Sequence, residues 1–398
     1  MTNPASPPDS IPFALMLGGG GARGAYQAGV LRALSRRFPE VSFPILSGIS
    51  AGAVNTIHLA AHRGTLAEAA DDLVSLWLSL TPEQVYDVHV APLLRNLFSW
   101  AARLGSGGVQ TGREPMRGLV DTSPLRQFLE NILERADDGT LPGIAANIAR
   151  GSLHAVALSA TSYTTGQSIT WVEGAGVKLW QRPQRRSELT RLTVDHVMAS
   201  TALPMLFPAV KVGNEWYGDG GVRLTAPLSP ALHLGASRIL TISTRYGRSR
   251  AEADTPLTPH YPPPAQVLSV LYNAIFLDLI DEDILRLQKV NGLLSALPPE
   301  KRGDMRVVDI LVLRPSRDLG KLASEFETHL PKFFRYLTRG LGTKQTASPD
   351  ILSLVLFERD YLHKLIELGE ADAEAHAPSI ATFLGRTSGA FPVVGAPA

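Results

Sequence analysis

Phe13-Ala14-Leu15-Met16-Leu17-Gly18-Gly19-Gly20-Gly21-Ala22-Arg23-Gly24 is where regular patterning begins in this 398-residue chain. Five apolar residues stopped by glycine predict a short buried strand. From Gly24 to Arg37, Tyr26, Val30 and Leu34 recur every four residues beside Leu31, which predicts a helix with one apolar stripe. Arg36 and Arg37 suit the negative C-terminal end of its dipole. A second strand is predicted near Phe43 to Leu46 and a second helix from Ala51 to His62. Strand, helix, strand and helix in such quick succession predict an α/β fold with a mostly parallel sheet.

The two turns in this stretch carry the chemical signal. Gly48-Ile49-Ser50-Ala51-Gly52 sets a serine between two glycines on a sharp strand-to-helix turn, the arrangement that exposes a nucleophilic hydroxyl. The run Gly18 to Gly21 offers successive backbone N–H donors, the equipment of an oxyanion hole. The same glycines also fit G-x-G-x-x-G, the dinucleotide fingerprint, but the acid expected at the end of the next strand is missing there. A P-loop is excluded because no Gly-Lys-Ser/Thr follows. A plain structural turn stays open at this stage.

Ser50 needs a base. One option is a histidine, and those downstream of Asp219 are His233, His260, His329, His363 and His376, none in a glycine-flanked turn. The other is a carboxylate acting alone, with Asp219 between Gly218 and Gly220-Gly221 as the candidate. Taken by itself, Asp-Gly-Gly reads as an ordinary turn.

Composition narrows the classes of partner. With 38 basic against 37 acidic residues, the net charge of +1 gives no field for nucleic acid or another polyanion. Absence of cysteine excludes disulfides, thiolate metal sites and a cysteine nucleophile. No segment has signal-peptide character, and no apolar run approaches the roughly 20 residues of a membrane span. The expectation is a cytoplasmic protein, with peripheral membrane contact through the local cluster Arg182, Arg185, Arg186 and Arg191 as an option beside a solvated loop.

Further along, Leu66 to Leu104 reads as helical with a heavy apolar load from Leu73 to Trp100, either a slot or cover for an apolar ligand or a helix pair in the core. Leu125 to Leu133 is predicted helical behind Asp121-Thr122-Ser123-Pro124, and Leu153 to Ala160 a strand with Ile169 to Val172 as its hairpin mate. Val194 to Ser200 reads as a short helix, Val210 to Val212 and Glu215 to Tyr217 as a second hairpin, and Ile239 to Ser243 as a buried strand. Val267 to Leu297 is predicted as one long amphipathic helix, Arg306 to Leu313 as a strand and Leu330 to Leu384 as mostly helix. The expected division is a tail (1–12), a catalytic domain (13–245), a proline-rich linker (246–266), a mostly helical C-terminal region (267–385) and a tail (386–398).

These motifs together resemble those of the patatin-like phospholipases, bacterial lipid acyl hydrolases built on a Ser-Asp dyad. Gly19 to Gly24 resembles the family's glycine-rich oxyanion loop, Gly48 to Gly52 its Gly-x-Ser-x-Gly elbow, and Asp219-Gly220-Gly221 its aspartate-bearing element. Ala199-Ser200-Thr201-Ala202-Leu203-Pro204 resembles the segment ahead of that aspartate. The resemblance covers Phe13 to Ser243 and implies a three-layer α/β/α fold with a helical C-terminal extension. It implies Ser50 as nucleophile, Asp219 as base, and an oxyanion hole of Gly19, Gly20 and Gly21 with Arg23, which orders the loop or attracts an anionic head group unless it is a plain solvated cation. Gly24, Gly48, Gly52, Gly220 and Gly221 are the supporting glycines. The implied activity is ester hydrolysis on phospholipids or related acyl lipids, without metal or cofactor. Acyl transfer by the same dyad and a catalytically idle lipid- or nucleotide-binding module are the alternatives. Oligomeric state stays open.

Overall fold

The computed structural model describes residues 13–87, 118–255, 261–276, 278–327 and 350–385. Its centre is a ten-stranded sheet in the order β10-β9-β1-β2-β3-β4-β6-β5, with β8 joined to β3 and β7 to β8. The strands are β1 (Phe13–Leu17), β2 (Ile45–Ile49), β3 (Ala155–Ser162), β4 (Ser168–Gly174), β5 (Gln181–Arg182), β6 (Arg185–Leu189), β7 (Val210–Val212), β8 (Glu215–Asp219), β9 (Arg238–Ile242) and β10 (Asp309–Leu313). From β10 to β3 the five central strands run parallel, and β3–β4, β5–β6, β3–β8 and β7–β8 are antiparallel.

Both faces of this sheet are covered, which is why its parallel strands read as mainly apolar runs rather than as a strict alternation. Leu15, Leu17, Leu46, Leu158 and Ile242 belong to one core cluster, and Ala14, Met16, Ile45, Ala157 and Ile239 to the other. The expected three-layer, mostly parallel α/β architecture is therefore the observed one.

Helix α1 (Gly24–Arg37) carries its predicted stripe inward, but Gln27, Ala28, Ala33 and Ser35 are buried as well. The helix Arg359–Ala375 covers the side that carries Tyr26 and Gly29, whereas Gln27 faces the glycine run and β9. A side chain at Gly29 would strike the Ile366 carbonyl, and one at Gly369 the Tyr26 carbonyl, so glycines set how closely the two helices cross. The C-terminal region thus packs directly on the first α/β unit, and its β10 extends the same sheet.

Two expected helices are interrupted. The segment from Leu66 forms α3 (Leu66–Ser79), closed off before the short turn Pro82–Val85, where Pro82 starts a new N-terminus behind Thr81. The remainder of that prediction, with Leu93 to Trp100, lies outside the described residues. The predicted helix Val267 to Leu297 is two helices, Pro264–Phe276 and Leu279–Ser295. At the break the Asp278 N–H reaches back five residues to the Asn273 carbonyl at 3.0 Å, a wide turn that does not propagate. Asp278 and Asp281 are also drawn to Arg245, and Asp281 to Arg314, side chains following β9 and β10. Leu271 is consequently exposed rather than on a common stripe with Ile280.

Candidate active site

Ser50 sits between β2 and α2 (Ala51–Ala61) with φ 55° and ψ −128°, a backbone region that costs a residue bearing a Cβ about 1–3 kcal/mol. Two hydrogen bonds in series hold it there. The Ser50 N–H donates to Ser200 Oγ at 3.1 Å, and the Ser200 hydroxyl donates to the Ser159 carbonyl at 2.7 Å. A Cβ on Gly52 would collide with the Leu17 carbonyl, so only glycine lets α2 start this close to β1.

Strand β3 brings the candidate base alongside. Its early residues pair with β2, ending at Ile49 opposite Ser159, and its next residue, Ala160, pairs with Asp219 of β8. Consecutive residues of one strand therefore fix the ends of the two elements bearing Ser50 and Asp219. Thr161 Oγ1 donates to the Asp219 carbonyl at 2.8 Å, and the Asp219 N–H donates to the Ala202 carbonyl at 2.9 Å. Gly220 and Gly221 form the tight turn that follows.

The Asp219 carboxylate is fully buried. Oδ1 accepts from the Gly221 N–H at 2.9 Å, while Oδ2 has no well-formed hydrogen bond among the described residues. Burial pushes the Asp219 pKa up from 3.8 to about 7, against the opposing pull of the Ser50 hydroxyl and the Gly221 N–H. Ser50 is thus near enough to favour the charged carboxylate, short of a closed hydrogen bond. Among the described residues no histidine takes this place. His233 stacks on Trp180, His363 pairs with Glu367 and His376 bonds the Asp372 carbonyl. His260 and His329 lie outside the described residues.

The glycine run lies against the serine. A Cβ at Gly19 would stand 3.7 Å from Ser50 Oγ. Gly20 and Gly21 have φ 149° and 55°, and among the described residues nothing accepts a hydrogen bond from the N–H groups of Gly19, Gly20 or Gly21. The loop's carbonyls are by contrast tied down: Gln27 Nε2 donates to Gly18 O at 2.8 Å, Thr244 Oγ1 to Gly19 O, and Asn55 Nδ2 to Gly24 O at 3.0 Å. Asn55 also receives the Trp77 indole N–H at 2.8 Å and donates to Gln27 Oε1 at 2.9 Å. Unpaired donors in a largely buried loop are costly, and these three are available to an acceptor beside Ser50.

Arg23 is not a solvated cation. It is 2% exposed, and its guanidinium is bound to Asp350 and Ser353. Within the basic cluster, Arg186 is held between Glu188 and Glu215, and Arg191 lies 3.8 Å from Asp138.

Beside Ser50 lies an apolar slot, partly open to solvent, lined by Val54, Leu76, Trp77, Leu80, Leu125, Phe128, Leu129, Leu203, Phe207 and Phe357. The predicted apolar load of α3 is thereby divided: Leu73 is core, whereas Leu76, Trp77 and Leu80 wall the slot. Gln27, Asn55, Trp77, Thr244 and Ser200 escape a reading of sequence because each acts on a residue distant in the chain. Of these, Ser200 alone stands in a motif.

A loop with a purely structural role has no use for a serine strained at positive φ beside a carboxylate whose pKa is raised, and the chain takes its place among the ester-bond hydrolases of α/β architecture. It belongs to the patatin-like phospholipase family, whose sequence pattern matches residues 15–232, more than half of the chain. Its fold is similar to VipD from Legionella pneumophila, at 12% identity and a TM-score of 0.32, covering 94% of this chain and 75% of that one. It is also similar to human GIVD cytosolic phospholipase A2 solved with methyl gamma-linolenyl fluorophosphonate, at 14% identity and a TM-score of 0.44. There the match covers 94% of this chain and 59% of the human one, so the chain spans about three-fifths of that enzyme's length. Among curated proteins no sequence matches. Among the described residues no helix is long and apolar enough to cross a membrane.

Proposed function

We propose that this chain hydrolyses carboxylic esters of phospholipids or related acyl lipids through an acyl-Ser50 intermediate. The observation that carries the proposal is the meeting, at one end of an apolar slot, of a strained serine with a buried carboxylate oxygen and three amides that are unpaired among the described residues. In the first half-reaction Ser50 Oγ attacks the ester carbonyl while its proton passes to Asp219 Oδ2. The oxyanion forms against the N–H groups of Gly19, Gly20 and Gly21, each donor of this type lowering the barrier by about 2.7–4 kcal/mol. The C–O bond to the alcohol then breaks, the alcohol taking the proton back from Asp219. Water repeats the sequence on the acyl enzyme, with Asp219 accepting its proton, and releases the fatty acid and free Ser50. The acyl chain lies in the slot beneath Trp77, Leu129 and Phe207.

The direct experiment is to label the intact protein with a fluorophosphonate probe and map the adduct by peptide mass spectrometry. A single adduct on Ser50 is expected, absent in Ser50→Ala. No adduct would return the chain to the idle lipid-binding alternative. The slot makes a separate prediction through Val54, a partly buried wall residue one helical turn beyond Ser50. Val54→Trp is expected to lower kcat/KM for a palmitoyl ester about tenfold or more relative to a butyryl ester. An unchanged ratio would remove the slot from acyl recognition.

A further inference from the structure

We infer that Asp350, assisted by Ser353, is a positioning residue for the oxyanion loop and acts through Arg23. The inference rests on the reading that Gly19 to Gly21 hold the oxyanion. Asp350 opens the short helix Asp350–Val355, well beyond the residues 15–232 matched by the family. Arg23 lies two residues after the glycine run and points away from water. Its Nη2 donates to Asp350 Oδ1 at 2.6 Å and to the Asp350 carbonyl at 3.3 Å, and its Nε donates to Ser353 Oγ at 2.7 Å. Asp350 Oδ2 is itself held by Asn273 Nδ2 at 2.7 Å, and the Ser353 hydroxyl donates to the Asp350 carbonyl at 2.6 Å.

The same helix closes on the loop from a second side. The Leu354 carbonyl lies where a side chain at Gly21 would project, so the helix packs on the backbone of a candidate oxyanion donor. The next carbonyl, that of Val355, accepts the Tyr86 hydroxyl at 2.7 Å, and Phe357 enters the wall of the slot. With its charge cancelled by a buried carboxylate, Arg23 has little attraction left for an anionic substrate. What the pair supplies is geometry: charge-assisted bonds fix the first turn after Gly21, and donors work only where the oxyanion will be.

The test uses the full chain and three variants, Arg23→Gln, Asp350→Asn and the double, with kcat and KM measured on nitrophenyl butyrate. Each single change is expected to lower kcat about 10- to 100-fold with KM changed less than about twofold, since the interaction lost is one made in the transition state. The double is expected to lose no more than the worse single, because both act through one contact. Asn291→Ala breaks two buried bonds to Val308 far along the sheet and reports what destabilisation alone does; its kcat should stay that of the parent. Should Asp350→Asn fail to fold, Ser353→Ala keeps the ion pair and is expected to lower kcat about fivefold. Parent-like kcat in folded Asp350→Asn or Ser353→Ala, or losses that multiply in the double, would overturn the inference. Activity surviving in Ser50→Ala would instead remove the hydrolase reading beneath it.

Discussion

Ser50→Ala is expected to lower kcat for a nitrophenyl acyl ester by on the order of 10⁶-fold, the scale on which a lost nucleophile is felt. The protein should still fold, because among the described residues the Ser50 hydroxyl makes no well-formed hydrogen bond, while its N–H to Ser200 survives in alanine. Stability adds a second reading that activity cannot give. At φ 55° alanine keeps the backbone strain of serine, whereas glycine relieves it. Ser50→Gly should therefore be as inactive as Ser50→Ala yet more stable than it by about 1–3 kcal/mol in denaturant titration. Undiminished ester turnover by either variant would end the nucleophile assignment. Equal stability of the two would mean that the turn is not strained.

How much of this can be seen in the sequence depends on the range of the interaction. Strand β1, helix α1, β2 and α2 are legible because each carries its own period and its own stop, and the hairpins β3–β4 and β7–β8 because Gly166 and Gly213-Asn214 mark their turns. Ser50 and Asp219 are legible as motif residues, but nothing local says that β3 holds both. The single stripe expected in α1 understates how widely the helix is buried, since Arg359–Ala375, packed against Tyr26 and Gly29, lies more than three hundred residues further on and Gln27 is held by the glycine run and β9. Arg23 admits three roles in the sequence for the same reason: its partner Asp350 carries no pattern that points back to the glycine run. The long helix expected from Val267 is two helices because its break rests on Arg245 and Arg314, which follow other strands. The periodic signal is present on both sides of the break and cannot register it.

Asp219→Asn separates the base from the nucleophile, and its pH behaviour has a definite sign. The variant keeps the shape of the side chain and can still accept from the Gly221 N–H, but it cannot take the Ser50 proton; kcat is expected to fall by about 10²–10⁴-fold. On the proposed mechanism Asp219 must be ionised to act, and burial, which disfavours the charge, pushes its pKa up to about 7. The parent's kcat/KM should therefore rise about tenfold per pH unit up to about pH 7 and level off above it, a limb absent from the residual activity of the variant. Stability runs the other way. Between 3.8 and about 7 the folded chain holds a proton on Asp219 that the unfolded chain has released, so stability falls as pH rises through that window. Over about three pH units the loss is on the order of 4 kcal/mol, and it is complete above about pH 7. The amide of Asp219→Asn carries no charge to bury, so the variant should melt higher than the parent above about pH 7 and no higher near about pH 4. A parent profile flat from about pH 5 to about pH 9, or a histidine variant as inactive as Asp219→Asn, would move the base elsewhere. The expected pairing of lost activity with gained stability would identify Asp219 as a group whose burial costs the fold energy that catalysis uses.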